Sequence, residues 1–241
     1  MQPAFVLPQY KPPYIASETI MNGPAMTKPT ALIFDMDGVL IDSEPLHERS
    51  KREALSQAGI EVPEERFASY TGRSDTVMIN DLAAENGIGK EESQAILRSK
   101  HTIYESLEHE LEPIEGAVDF LHWAKPRFRL ALATSANARN RQKTAEMLGI
   151  APLFEVAVDA SNFEHPKPSP EVFLIALEKL GLPADSCWVV EDAINGVLAA
   201  KAAGCFAVGL TTSFSREALE EAGADMVIEN FAELQHFLES L

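Results

Sequence analysis

At 241 residues and 46% hydrophobic content, the chain is long enough for one large domain or two small ones with a genuine core. Twenty Lys and Arg against 37 Asp and Glu give a net charge of -17, the wrong sign for a surface that tracks nucleic-acid phosphates or anionic lipid. No apolar run approaches the roughly 18 residues of a membrane span and no charged-then-apolar leader opens the chain, so the expectation is a cytoplasmic monomer with neither membrane nor nucleic-acid partner.

Residues 1–29 carry six of the fifteen prolines, show no helical or strand period and contain Met21 and Met26 as alternative starts. They read as a poorly ordered arm, with a docking segment as the alternative. The chain then runs into "TALIFDMDGVLIDSEP", residues 30–45. Its apolar residues Ala31, Leu32, Ile33 and Phe34 read as a buried strand that delivers Asp35 and Asp37 to its end, with Gly38 permitting a sharp turn and Asp42 soon after.

Over residues 43–112 no strand signal appears, and three helical segments end near Gly59, Gly87 and Leu111. The expectation is an all-helical cap inserted just past the C-terminal end of the first strand, where open α/β sheets take their ligands. In the third segment Ile96, Leu97, Ile103, Tyr104 and Leu107 form an apolar stripe at helical spacing, and Lys100 falls in its middle. Two readings stand for that lysine: a stem packed along the face with its ammonium reaching water, or a cation aimed into the cleft.

From residue 113 onward β-rich runs alternate with helical patterns: "RLALATS" at 129–135, "EVAVDA" at 155–160, "CWVVED" at 187–192, "CFAVGL" at 205–210 and "DMVIE" at 225–229. The alternation predicts a three-layer, Rossmann-like α/β core over residues 30–42 and 113–241, with a parallel sheet between two layers of helices. Ser169-Pro170-Glu171 reads as a cap, a first-position proline and a first-turn acid, opening a helix that stops at Gly181. The two cysteines, Cys187 and Cys205, fall in apolar strands and read as reduced core thiols.

In a parallel sheet all strand C-termini share one edge, so groups far apart in sequence meet there. The convergent set is Asp35, Asp37, Thr134, Ser135, Glu191 and Asp192, joined by Lys167 from the loop "HPKPSPE". Carboxylates crowded at one point repel and protonate unless a cation joins them, and hard oxygen donors predict Mg²⁺. With the metal and Lys167 supplying positive charge, the site becomes a receptor for a phosphate dianion. Asp35 is then the candidate nucleophile that forms an aspartyl phosphate and Asp37 the candidate general acid/base, with the hydroxyls of Thr134 and Ser135 beside Lys167 in the same phosphate-binding cleft. Each piece alone has an ordinary meaning, "DMDG" as a turn, "TSAN" as a helix cap and "VVED" as a strand end meeting solvent. Their order, each at the end of its own strand, carries the assignment.

The set "DMDGVLIDSEP", "LALATSA", "HPKPSPEVF" and "WVVEDAINGVLAAKAAG" resembles the four motifs of the haloacid dehalogenase superfamily. The likeness covers residues 30 to about 230, and it lies with the phosphatases and β-phosphoglucomutase-like enzymes that carry a small helical cap. It implies Asp35 as nucleophile, Asp37 as general acid/base, and Thr134 and Lys167 on the phosphate. It further implies Mg²⁺ held by the Asp35 carboxylate, the Asp37 backbone carbonyl and Asp192, with Glu191 close behind. A halide leaves without a proton, so the second aspartate favours phosphoryl transfer over dehalogenation. In the cap the resemblance implies substrate contacts for Lys100, for His47 in "SEPLHERS" and for Gly72 and Arg73 in "YTGRSD", each of which also reads as an ordinary surface or packing residue.

Two departures bear on the reaction. β-Phosphoglucomutase has an arginine three positions after the loop glycine, where this chain has Asp75, and polar residues beyond the second motif, where it has Ala136 and Ala138. A mutase must hold a sugar bisphosphate at both ends. The expectation is therefore Mg²⁺-dependent hydrolysis of a small phosphorylated metabolite, a sugar phosphate. A phosphohexomutase is the runner-up, followed by a non-catalytic regulatory protein on the same fold.

Overall fold

A computed structural model describes residues 27–70 and 74–241. Most of the expected N-terminal arm falls outside these residues, as do Gly72 and Arg73. The six apolar runs form β1 (Ala31–Phe34), β4 (Arg129–Ala133), β5 (Val156–Val158), β6 (Cys187–Glu191), β7 (Phe206–Leu210) and β8 (Met226–Ile228). They pair in parallel in the order β5-β4-β1-β6-β7-β8, which puts β1 between the strands that lead to Thr134 and to Asp192. The register sets Phe34 beside Leu132 and Val190, so residues just past these three ends emerge together.

Alternation along each central strand builds two cores. Leu32, Phe34, Leu130, Leu132, Trp188 and Val190 face one layer, where α5 (Ala117–Ala124), α6 (Ala138–Met147) and α10 (Phe231–Ser240) pack. Phe34 meets Phe120 edge to face at 6.1 Å, and Phe120 leans on Phe231 at 5.0 Å. Ala31, Ile33, Ala131, Ala133, Cys187 and Val189 face the other layer, made by α7 (Glu171–Leu180), α8 (Ile194–Ala202) and α9 (Arg216–Glu221). Burial of both faces explains why these strands read as continuous apolar runs. Cys187 and Cys205 are both buried free thiols. Among the described residues no helix is long and apolar enough to cross a membrane.

The helical insertion has a core of its own, in which Leu55, Ile60, Phe67, Ile79, Leu82 and Ile96 meet. It is built from α1 (Glu44–Gln57), α2 (Glu64–Ala68), α3 (Asp75–Glu85) and α4 (Lys90–Leu107), with a 3₁₀ turn over residues 108–110. The three expected segments are thus four helices. The added one, α2, has five residues and a single buried side chain, Phe67, too little for a 3.6-residue period to register. The chain passes into and out of the insertion through two short antiparallel strands, β2 (Ile41–Asp42) and β3 (Glu112–Pro113), whose two residues each are likewise below the length a pattern can signal.

A second correction concerns α7. Pro170 stands one place before the first helical residue instead of on it, and Ser169 Oγ accepts the Glu171 N–H at 3.4 Å. Glu171 turns its carboxylate back to accept the N–H groups of Glu164 and His165, each at 2.9 Å. The first-turn acid therefore fastens the loop that carries Lys167. Gly181 ends the helix in the left-handed region at φ 64°.

Candidate active site

Asp35 follows β1 and is 7% exposed. Lys167 reaches in from the loop after β5, with Nζ 2.6 Å from Asp35 Oδ1, 2.5 Å from Glu191 Oε1 and 3.5 Å from the Ala133 carbonyl. Glu191 ends β6 and Asp192 follows it, both buried. One carboxylate oxygen from each of Asp35, Glu191 and Asp192 lies within 4.8 Å of the others. Thr134, just past β4, is buried; its Oγ1 accepts the Ala136 N–H at 3.0 Å, which leaves the hydroxyl proton to donate elsewhere. Ser135 is exposed on the same edge. Asp35, Asp37, Thr134, Ser135, Lys167, Glu191 and Asp192 line one cavity of about 870 Å³ between the sheet edge and the helical insertion.

The electrostatics are those of acids outnumbering cations. Burial works against the charge of Lys167, but Asp35 and Glu191 outweigh it and hold the ammonium above the ordinary lysine range. Burial, then Glu191 and Asp35, push Asp192 up to about 8. Burial also lifts Glu191, which Lys167 partly opposes. Asp37 rises to about 6, first through burial and then through Asp35, with a hydrogen bond from Ser43 holding it back. One lysine does not neutralise this cluster. The all-oxygen donor set and the upward shifts fit a hard divalent cation, whose charge returns such carboxyl groups to their ionised form.

Two glycines make the crowding sterically feasible. A Cβ on Gly38, which sits at φ +75°, would lie 1.9 Å from Asp192 Oδ2, and one on Gly196 would lie 1.9 Å from the Glu191 carboxyl carbon. Neither clash can be relieved without moving a carboxylate of the cluster. Three hydroxyls that the sequence reading missed also belong here. Ser43 favours the ionised form of Asp37, Ser213 Oγ donates to Asp192, and Thr212 Oγ1 donates to the Gly38 carbonyl at 2.5 Å. Thr212 and Ser213 follow β7, so the strand-end rule applied to "CFAVGL" would have found them. No motif advertised them.

On the insertion side, Lys100 lies just behind the cavity wall. Its ammonium is 2.7 Å from Asp75 Oδ2 and 2.9 Å from His47 Nδ1, two residues of the cavity wall, and the residue is 5% exposed. His47 stacks on Tyr104 with ring centroids 4.1 Å apart and planes 7° from parallel. Burial and then Lys100 lower its pKa to about 3, because a proton on Nδ1 would set two cations face to face. Lys51 lies 3.5 Å from the other oxygen of Asp75. Asp75, which stands where β-phosphoglucomutase has an arginine, is thus the anion on which this network centres.

Two outcomes follow from this geometry. Gly38→Ala should fold, as judged by circular dichroism, yet lose about a hundredfold in kcat/KM, since displacing Asp192 by about 1 Å misplaces the cluster; retention of wild-type turnover would show the contact to be harmless. His47 gives a stability slope. In the unfolded chain it takes a proton near its ordinary pKa of 6.5, whereas in the folded chain it does not until about 3, so acidification below pH 6.5 protonates only the unfolded state and lowers stability. Urea midpoints should fall from pH 7 to pH 5, and the fall should be shallower in His47→Gln; identical slopes would remove His47 from the account.

Residues 29–204 match the family model of the haloacid dehalogenase-like hydrolases. The chain is 32% identical to the fructose-1-phosphate phosphatase YqaB of Escherichia coli (strain K12), over 73% of this chain and 94% of that protein. It is 29% identical to the beta-phosphoglucomutase of Bacillus subtilis (strain 168), over 85% of this chain and 91% of that one. A solved structure of a hydrolase from Pseudomonas syringae matches with a TM-score of 0.71 at 30% identity, covering 88% of this chain and 99% of that chain. A longer protein of Arabidopsis thaliana also matches at 29% identity, and the aligned region spans 20% of its length. Motif order, sheet topology and these likenesses coincide, and the chain belongs to the haloacid dehalogenase-like hydrolases, among their β-phosphoglucomutase-like members.

Proposed function

We propose that this phosphoric monoester hydrolase cleaves a small phosphorylated metabolite, a sugar phosphate, through an aspartyl phosphate on Asp35. The observation that carries the reading is the pair of carboxyl groups two residues apart with different surroundings. Asp35 is bound directly by the Lys167 ammonium at 2.6 Å, while Asp37 is lifted to about 6 and so exchanges a proton near neutral pH. A carboxylate oxygen of Asp35 attacks phosphorus, the ester P–O bond breaks, and Asp37 gives its proton to the departing alkoxide. Water then attacks the acyl phosphate while Asp37 takes its proton, which frees inorganic phosphate and restores the Asp35 carboxylate.

The remaining core residues have roles in the same scheme. Lys167 and the Thr134 hydroxyl donate to the phosphoryl oxygens, and Ser135 stands at the cavity mouth to do the same. Asp35, Asp192 and the Asp37 carbonyl would hold Mg²⁺, with Glu191 behind them, and the bound ion would neutralise charge on the phosphoryl group. Ser43 favours the charged form of Asp37.

The likeness to a β-phosphoglucomutase supports a second reading, in which a sugar hydroxyl instead of water takes the phosphoryl group back. Asp75 in the cavity wall weighs against it, because an anion there opposes the far phosphate of a sugar bisphosphate. Asp35→Asn should abolish phosphate release from p-nitrophenyl phosphate with the fold intact, and EDTA should silence the wild type until Mg²⁺ is restored. Residual Asp35→Asn turnover within tenfold of wild type, equivalent to about 1.4 kcal/mol, would overturn the nucleophile assignment. Efficient conversion of glucose 1-phosphate to glucose 6-phosphate with little free phosphate would promote the mutase.

A further inference from the structure

We infer that Asp75 makes the insertion side of the cavity a subsite for the hydroxyl groups of a neutral sugar or polyol, so that the substrate carries one phosphate and no second anionic group. The inference rests on the phosphatase reading above and narrows its substrate class. Asp75 is the first residue of α3, behind Ser74, whose hydroxyl accepts the Val77 N–H at 3.3 Å. It lines the same cavity as Asp35, with its side chain 32% exposed, while the side chains of Lys51 and Lys100 are 11% and 6% exposed.

The two lysines are therefore spent on Asp75 and leave its carboxylate facing the cavity. Lys100 sits on Oδ2 at 2.7 Å and Lys51 near Oδ1 at 3.5 Å, with Lys51 also 3.4 Å from Glu44. Burial opposes the ionisation of Asp75, but the two ammonium groups outweigh it and keep the carboxylate below its ordinary range. Each oxygen has further acceptor capacity beyond its lysine contact. That capacity suits O–H donors. A phosphate or carboxylate at neutral pH offers no proton and brings a charge of the wrong sign.

The rest of the wall has the same character. Among the described residues, Glu44, Glu48, Glu64 and Asp75 line this side, with Lys51 among them and Lys100 behind. His47 is held neutral by burial and by Lys100. The two ends of the cavity thus differ: the sheet end has Lys167, the Thr134 hydroxyl and the Asp35, Glu191 and Asp192 cluster that would hold Mg²⁺, and the insertion end has Asp75, whose lysine partners are already engaged. A molecule with a dianionic phosphate at one end and neutral hydroxyls at the other matches both ends, and a bisphosphate or a phosphorylated carboxylic acid matches one.

The test compares the full chain with Mg²⁺ on fructose 1-phosphate, fructose 1,6-bisphosphate, 2-phosphoglycolate and p-nitrophenyl phosphate. The wild type should prefer the hexose monophosphate by at least about tenfold in kcat/KM over the bisphosphate and the phosphoglycolate. Asp75→Asn should raise KM for the monophosphate more than it lowers kcat, and should shrink the preference to within about threefold. Binding is read separately by calorimetry in the Asp35→Asn background, which cannot turn over. There the monophosphate should bind about tenfold more weakly once Asp75→Asn is added. A wild type that hydrolyses the bisphosphate as well as the monophosphate, or equal affinities in the two variants, would overturn the inference. Release of phosphate from p-nitrophenyl phosphate alongside either result leaves the phosphatase reading standing. Release from none of the four esters would sink that reading, while the calorimetric comparison would still decide the role of Asp75.

Discussion

Lys167 bridges Asp35 and Glu191, and this ion triad is what lets three carboxylates occupy one edge of a sheet. Buried charges of one sign are costly unless paired. The rest of the core serves that pairing. The parallel register brings β1 and β6 out side by side, the loop after β5 carries the lysine across, and Glu171 pins that loop by accepting two of its N–H groups. Gly38 and Gly196 remove the side chains that would otherwise occupy the space of the carboxylates.

Residual imbalance is as informative as the pairing. A cluster tuned only for stability would match its charges, whereas here burial and mutual repulsion leave Asp192, Glu191 and Asp37 shifted upward. Unmatched negative charge at a pre-formed oxygen cluster is the condition under which a divalent cation binds favourably and a phosphate dianion can follow it. The insertion solves the opposite problem. It pairs Asp75 with two lysines, Lys51 in the cavity wall and Lys100 behind it.

What was legible in the sequence divides along physical lines. Ala31 to Phe34, the run ending at Ala133 and the run ending at Glu191 were readable because a strand buried on both faces must be apolar throughout, and their terminal acids and hydroxyls stand out against that background. The helix α2 and the strands β2 and β3 were too short to carry a period. The partnership of Lys100, His47 and Asp75 joins α4, α1 and α3, and no spacing within one helix encodes which face meets a neighbour. Thr212 and Ser213 escaped for another reason: hydroxyls after a strand are common, and only the approach of Gly38 and Asp192 gives these two a task.

The antiparallel pair of β2 and β3 has a consequence for how such a chain can be assembled and can diverge. Ile41 lies opposite Pro113 and Asp42 opposite Glu112, so the insertion leaves and rejoins the sheet at adjacent points. To the pairing of β1 with β4 the whole insertion is therefore a closed loop, and the entropy of closing a flexible loop rises by only about 0.6 kcal/mol for each doubling of its length. With an interior of its own around Leu55 and Ile79, that loop can change in size, sequence or internal packing while the sheet keeps its register. Variation within the insertion is in this way insulated from the register that brings the strand-end carboxylates together.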